Sequence, residues 1–540
     1  MRTILSNRDP DEAKVLKSAT DRRNGAVLLV LALLMAMIIG VYPHLRYSGR
    51  LAGGGDAGRF TLWISSIQDQ KTIIPSEDVY PNGYGYQTLI ASLADFTGME
   101  LAVLQTLFGT LLITWTILMA WLFYSEVTQS KAAASLAILI LFTQPELLFV
   151  LLRGTHEKFT RGLMFVCLYL IVRSVLSQKR PRLFISFVVA FYLTGYSLLT
   201  FNNLLAISFI AALALSLALN TLVARTNAND MENSFTRRRL VYATVVLLVL
   251  AFIFTFYAYP PARKGLQTLQ YGGDRLAVLF LDIEQASAKP YETITTAWVN
   301  KPVYFLVSIA NWLLLISSFV LWTVMTLKWL LRRSWPSDQR LLLLWSLYGA
   351  FGFLGALSII VDISGALRAQ NLQYRAFPSF VMIAAPLLAF WLVHTPSFKI
   401  GMRRLPKLVL IVTIALLIIM GITKATNEPF LSNTWAFYTA DEETAAIWML
   451  EVNSDKPLWL SFDERLRSAI MTCCPSQVNG NLLDAFVPQS GTRDFLISDV
   501  TRAQAARSGL NLPIEGDSLL FYDNGSSKVF HLRPTTPFQR

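Results

Sequence analysis

Asp56 is the residue from which a chemistry can be argued first. It follows Gly53-Gly54-Gly55 and precedes Gly58-Arg59, in a polar loop just after the first long apolar run. The glycines let the backbone turn tightly and let a ligand come close. A carboxylate there could take a proton from an acceptor hydroxyl, provided that partial desolvation raises its proton affinity. An Asp in a glycine-rich turn is also ordinary loop chemistry, and both readings stand. The loop continues through Arg59, Trp63, Gln68, Asp69, Ile74-Pro75 and Asp78 to Tyr80, Tyr84 and Tyr86. Rings with hydroxyl tips suit a sugar face, and equally the aromatic belt of a membrane interface, which is the commoner role.

A second group lies at Gln144-Pro145-Glu146 and Arg153-Gly154-Thr155-His156-Glu157-Lys158. Proline and polar residues inside an apolar run imply that the segment leaves the lipid or lines a cavity. Glu146 could be a second acid or a metal ligand, or a structural carboxylate. His156, Glu157 and Lys158 could meet a phosphate or a sugar; a wet loop with local ion pairs is the favoured reading. A third group is Arg368 and Tyr374-Arg375, leading into a span with Pro378. Guanidinium pairs with phosphate in a bidentate way, and a helix N-terminus favours an anion. Arg375 is therefore expected to hold a lipid-linked phosphate, against the alternative of snorkelling to headgroups. Between these groups, residues 259–302 are long enough to act as a flexible lid.

These residues need elements to position them, and composition says which. The chain has 540 residues, of which 54% are hydrophobic and 15% charged. Mean hydropathy is +0.46. A soluble chain carries about 25% charged residues. Apolar runs occur at about 25–43, 101–124, 132–152 (interrupted), 160–177, 183–200, 203–224, 240–258, 303–325, 341–361, 376–394 and 407–424. Most approach the roughly 20 residues needed to cross a hydrocarbon core. The sequence is read as an α-helical polytopic membrane protein of about eleven transmembrane helices.

The net charge of +12 is no sign of nucleic acid, because the basic residues cluster in short links. Arg22-Arg23, Lys131, Lys179 to Arg182, Arg237 to Arg239, Lys328 to Arg333 and Lys399 to Arg404 all fall on one side of the eleven-span topology. The positive-inside rule puts that side in the cytoplasm. The expected division is a cytoplasmic segment 1–24, a transmembrane domain 25–424 with a long outer loop 44–100, and an extracytoplasmic α/β domain 425–540. No cleavage pattern follows the first run, which reads as a retained span. Residues 87–97 have helical apolar spacing and are too short to span, so they are expected as an interfacial helix.

The C-terminal region has its own signals. Thr439-Ala440-Asp441-Glu442 is a capping box, Pro457–Phe462 reads as a strand, and Asn524-Gly525 marks a hairpin. Cys167 reads as a buried hydrophobe, and the adjacent Cys473 and Cys474 as two free thiols rather than a strained vicinal disulfide. No ligand spacing for zinc occurs. There is no P-loop, HExxH, nucleophile elbow or dinucleotide fingerprint. With no cytoplasmic domain to hold a nucleotide sugar, the donor energy, if the chain is an enzyme, has to arrive within the membrane.

This arrangement resembles the GT-C superfamily of integral-membrane glycosyltransferases, which includes protein mannosyltransferases, aminoarabinose transferases and oligosaccharyltransferase catalytic subunits. The similar features are Asp56 shortly after the first span, an interface helix, the Ile74-Pro75…Tyr80-Pro81…Tyr84 stretch, Tyr374-Arg375…Pro378, and the outer module opening at Thr439…Trp448. The resemblance implies an inverting transfer of a sugar from a polyprenyl-phosphate donor to a glycan, lipid or protein acceptor outside the cytoplasm, at the plasma membrane. It implies Asp56 as general base, with Arg375 and Arg368 on the lipid phosphate. Tyr374, Arg59, Tyr80, Tyr84 and His156 would complete the substrate site, and Glu146 would be a second carboxylate. No adjacent Asp-Glu pair follows the first span and its loop holds no DxD, which leaves a divalent metal open. Two rival readings are a transporter or flippase and a non-catalytic protein that binds lipid-linked glycans. A transporter would carry mid-span charges and matched broken helices. The spans here are mostly free of charge.

Overall fold

Every one of the eleven apolar runs forms a helix or a helix pair in the computed structural model. The structure describes residues 10–47, 56–73, 79–177, 180–226, 231–265, 267, 270, 301–332, 336, 338–363, 372–394, 404–426, 438–452, 459–460, 494–502 and 518–532. The first helix, α1, is Pro10–Tyr47. After two short helices, α2 (Asp56–Gln70) and α3 (Gly85–Thr97), the chain returns through α4 (Leu101–Thr128). Helices α5 (Lys131–Phe142) and α6 (Pro145–Leu152) follow, then α7 (Glu157–Leu176), α8 (Pro181–Phe201), α9 (Asn203–Thr226) and α10 (Met231–Ile253). The remaining helices of the bundle are α11 (Lys301–Val307), α12 (Ile309–Arg332), α13 (Gln339–Ile363), α14 (Leu372–His394) and α15 (Arg404–Ala425).

Among the described residues, eight helices are long and apolar enough to span a membrane. A ninth span results if α5 and α6, bent by 81°, count as one. Two further apolar stretches, Leu112–Thr128 and Ile411–Ala425, are shorter. The expected eleven are thus met by elements of unequal length.

The bundle has two chemically different ends. At the basic end, Glu126 pairs with Arg173 at 3.0 Å and with Arg340 at 3.9 Å. There Ser130 caps α5 by accepting from the Ala133 amide, while its hydroxyl donates to Asp21 at 2.6 Å. The opposite end, the loop end, carries α2, α3 and the bend between α5 and α6. The centre is fully buried, with α4 packed on α7 and α5 on α14. Tyr124 donates to the Met382 carbonyl across this core.

Helix α2 was not legible as an element in the long polar loop. Its buried side is Ala57, Phe60, Thr61 and Ile64, the spacing of one helical face. It packs on α3, which confirms the helix expected at 87–97. On α3, Tyr86, Gln87, Ile90, Ala91 and Ala94 are buried, while Phe96 is exposed.

Among the described residues the C-terminal region forms a small four-stranded sheet, β1 (Trp459–Leu460), β2 (Asp494–Ser498), β3 (Ser518–Asp523) and β4 (Ser527–Leu532), in the order β1-β2-β4-β3. The β3–β4 hairpin turns at Asn524-Gly525. The capping box opens α16 (Ala440–Val452): the Thr439 amide donates to Glu442 at 2.7 Å, and the Glu442 amide to the Thr439 hydroxyl at 3.3 Å. Trp448 of α16 stacks on Tyr522, 4.6 Å between centroids. Cys167 is free and buried; Cys473 and Cys474 lie outside the described residues.

Candidate functional site

His156 sits in an aromatic box at the loop end, 5% exposed. Phe60 and Tyr80 place their centroids 5.0 Å from its ring and Tyr86 lies at 6.5 Å. Trp63 closes on Tyr80 at 5.3 Å. The Asn202 amide reaches His156 Nε2 at 2.6 Å, and the Tyr80 hydroxyl reaches the same atom at 3.1 Å. Asn202 Oδ1 is committed to the Leu205 amide at 3.0 Å. Its Nδ2 therefore faces the ring, which makes Nε2 an acceptor and puts the proton of the neutral imidazole on Nδ1.

The first loop is held to this box by backbone. Gly83 has φ +152° and lies where a Cβ would strike the Thr200 carbonyl, so only glycine allows the approach. Next to it the Asn203 amide donates to the Asn82 carbonyl at 2.6 Å. Tyr259 donates to the Tyr80 carbonyl at 2.7 Å. Burial, with Tyr196 second, pushes the Tyr84 phenol above its ordinary value. Burial also keeps Tyr86 protonated; its hydroxyl donates to the Gly154 carbonyl at 3.1 Å.

Below the box lies a group of buried charges. Lys158 is 1% exposed and donates to the Gln105 carbonyl at 3.3 Å. Arg161 is fully buried; it donates to the Ser379 hydroxyl and, at 3.2 Å, to the Arg375 carbonyl. Arg153 stands 3.7 Å from Glu157. Glu157 is within electrostatic reach of Arg153, His156, Arg161 and Arg375, so one carboxylate serves a cluster with excess positive charge. The wet loop expected at His156, Glu157 and Lys158 is corrected here. α7 begins at Glu157, so these side chains face α2, α4 and α14 rather than water.

The 81° bend has a second consequence. Gly421 of α15 packs against the Phe142 and Thr143 carbonyls, closely enough that a Cβ would sit 3.0 Å from Thr143 O. One turn later Lys424 reaches Glu146 at 2.8 Å and the Ser308 hydroxyl at 2.6 Å. Both charged side chains line a cavity of about 1020 Å³ between α9, α12, α13 and α14. Polar residues gather at its loop end, where Ser308, Asn311 and Gln373 join the pair. Its depth is aromatic and aliphatic, reaching Trp322 and Leu219 toward the basic end. Gly349, Gly352 and Gly355 open one wall. The expectation that the interrupted run lines a cavity is met.

The structure unites some of the sequence candidates and separates others. Tyr80 and His156 touch; Tyr84 packs beside them on Tyr259. Arg375 is in the first turn of α14, with its side chain exposed and its carbonyl on Arg161. Arg375 does not line the described cavity, although Gln373 does. Arg59 and Asp69 are exposed on α2. Asp56 is the first residue of α2, one turn before Phe60 of the box; its side chain, and that of Tyr374, lie outside what is described. Arg368, Gly53 to Gly55, Asp78 and residues 271–300 of the expected lid also lie outside the described residues. Among the described residues no three His, Cys, Asp or Glu side chains gather as a metal site.

Three residues escaped the sequence reading: Arg161, Asn202 and Lys424. Arg161 and Lys424 carried a signal, since each is a charge within the terminal turns of an apolar run. Lys424 also stands at the end of the bundle away from the other basic clusters. Asn202 had none beyond its place between two spans.

No family model matches the sequence, and no curated protein matches it. Solved structures do. The archaeal oligosaccharyltransferase AglB from Archaeoglobus fulgidus, in complex with an inhibitory peptide and a dolichol-phosphate, superposes with a TM-score of 0.50 at 14% identity. The match covers 95% of this chain and 75% of that one. The same enzyme in its apo form gives 0.50 at 14%, covering 95% and 74%. Tethered to an acceptor peptide with the NVT sequon, it gives 0.50 at 12%, covering 94% and 74%. Over nearly its whole length, this chain shares the fold of these archaeal oligosaccharyltransferase structures.

Proposed function

We propose that the chain is a membrane glycosyltransferase that moves a sugar from a polyprenyl-phosphate-linked donor to an acceptor on the extracytoplasmic face of the plasma membrane. The observation that carries this reading is the cavity. Its wall is largely apolar and its charged lining residues, Glu146 and Lys424, stand together at the loop end, which suits a lipid with a charged head. The structural neighbour in complex with a dolichol-phosphate supports a lipid-linked donor, and the one tethered to an acceptor peptide supports a bulky acceptor. A protein, glycan or lipid hydroxyl or amide fits the reading equally.

Asp56 takes the acceptor proton as the acceptor atom attacks the anomeric carbon. The bond from that carbon to the phosphate oxygen breaks, and polyprenyl phosphate leaves with the electron pair. Attack from the face opposite the phosphate inverts the anomeric configuration. Arg375, with Arg368 nearby in sequence, neutralises the departing phosphate. Arg161 fixes the first turn of α14 through the Arg375 carbonyl and so positions that arginine. Trp63 and Tyr80, the partly exposed rings at the edge of the His156 box, suit a sugar face. Glu146 is a second carboxylate at the cavity rim.

The test is release of polyprenyl phosphate from a lipid-linked hexose in proteoliposomes, followed by mass spectrometry. Asp56→Asn should slow release by about 10²-fold or more, the scale of a lost general base. A variant as fast as the parent overturns the proposed chemistry.

A further inference from the structure

The ion pair at the cavity rim has an arrangement that the proposed chemistry leaves unused. Lys424 and Glu146 are nearly buried, with side chains 8% and 15% exposed. Burying such a pair costs several kcal/mol per ion in desolvation, and a well-packed apolar pair joins two helices as well or better. The packing is nonetheless built to deliver it. The break at Gln144 frees the start of α6, Gly421 lets α15 press against that break, and Lys424 then meets Glu146 and Ser308. Both side chains line the wall of a cavity whose depth is apolar. Asn311 lines the same end, and its buried Oδ1 has no hydrogen-bond partner.

A cation at the one polar end of an apolar cavity selects an amphiphile with an anionic head. We propose that Lys424 is a further anion-binding residue, in addition to Arg375 of the proposed chemistry, for the phosphate head of a lipid seated in this cavity, and that Glu146 is the internal counter-ion the phosphate displaces. This rests on the lipid reading of the cavity and adds to it a residue and a selectivity. A phosphate oxygen replaces the Glu146 carboxylate at Nζ, and Ser308 stays as the second partner of the ammonium. Glu146, on the rim and partly exposed, turns toward water. The exchange makes the cavity prefer a phosphorylated prenol to the neutral alcohol.

Binding to the purified full chain in detergent tests this, read by calorimetry and by the fluorescence of Trp312 and Trp322, which line the cavity. The probes are farnesyl phosphate, farnesol and inorganic phosphate. The parent should favour farnesyl phosphate over farnesol by about tenfold or more, the scale of a charge-assisted hydrogen bond. Lys424→Met should lose that preference while binding farnesol as before, and Lys424→Arg should keep it. Glu146→Gln should bind farnesyl phosphate more tightly, since the competitor is gone. Lys424→Met can misfold by stranding Glu146, so the Lys424→Met/Glu146→Gln double variant repeats the measurement with no stranded charge. A preference for the phosphate that survives in both Lys424→Met proteins overturns the role of Lys424 and leaves the lipid reading standing. Binding of neither amphiphile to the parent overturns the lipid reading itself. Inorganic phosphate that binds alone, with the same dependence on Lys424, overturns the lipid head as ligand.

Discussion

Arg161 gives its guanidinium to Ser379 and to the Arg375 carbonyl from a position with no exposed surface. A buried cation of this kind is compensated by geometry, here two acceptors on α14 and the nearby charge of Glu157. Arg161→Met removes the donor and leaves Glu157 less compensated. We expect a loss of about 3–5 kcal/mol, the cost of breaking a buried charged contact, seen as a lower midpoint of unfolding in detergent. Arg161→Lys should recover only part, because one ammonium lacks the planar fork that spans two acceptors. At this scale the sequence was partly legible. Asp56 and Arg375 stood out by type and neighbours, while His156 read first as part of a wet loop. The partners of Glu146 and Arg161 did not, because they lie 278 and 218 or 214 positions away and a single sequence carries no record of contact.

At the scale of elements, α2 is the one whose placement the proposed chemistry needs, since Asp56 opens it. It is tied to α3 by Gln68, which donates to Asp95 at 2.7 Å, and by Lys71 at 3.4 Å. The Gln68 hydrogen bond, then Lys71, holds the Asp95 carboxyl below the usual carboxylate range. A folded value below the unfolded one, about 3.9, means that the tie is present above that pH and is lost as pH falls through the folded value. Amide exchange of α2, corrected for its intrinsic pH dependence, should therefore be faster below about pH 4 than at neutral pH. Asp95→Asn should loosen α2 at neutral pH and abolish the acid effect. Exchange that ignores both changes would show that the tie does not hold the helix.

The elements were unevenly readable. Long apolar runs, the capping box at Thr439 and the Asn524-Gly525 turn declare themselves locally. The bend at Gln144-Pro145 did too, because proline after a polar residue cannot continue a lipid-facing helix. Helix α2 was hidden by its setting: its apolar face of Phe60 and Ile64 is short and is set among glycines and charges.

At the scale of the whole molecule, the apolar runs and their basic links were enough to read the bundle and its two ends. The cavity was not legible, since its walls come from α9, α12, α13 and α14 and its rim from α6 and α15. Such a space is set by how helices pack, and periodicity says only that they do. Asp56 opens the helix that carries Phe60 of the His156 box, the Arg375 carbonyl accepts from Arg161, and the cavity lining includes Gln373, two residues before Arg375.

On the proposed chemistry a lipid phosphate lies head-up in this cavity. A cryo-electron microscopy map of the full chain in nanodiscs with excess farnesyl phosphate tests it most directly. Tail density is expected along the Gly349–Gly355 wall, with the phosphate at the Lys424 end, facing the first turn of α14. A map with the phosphate bound elsewhere, or with no farnesyl phosphate density along that wall, would contradict it.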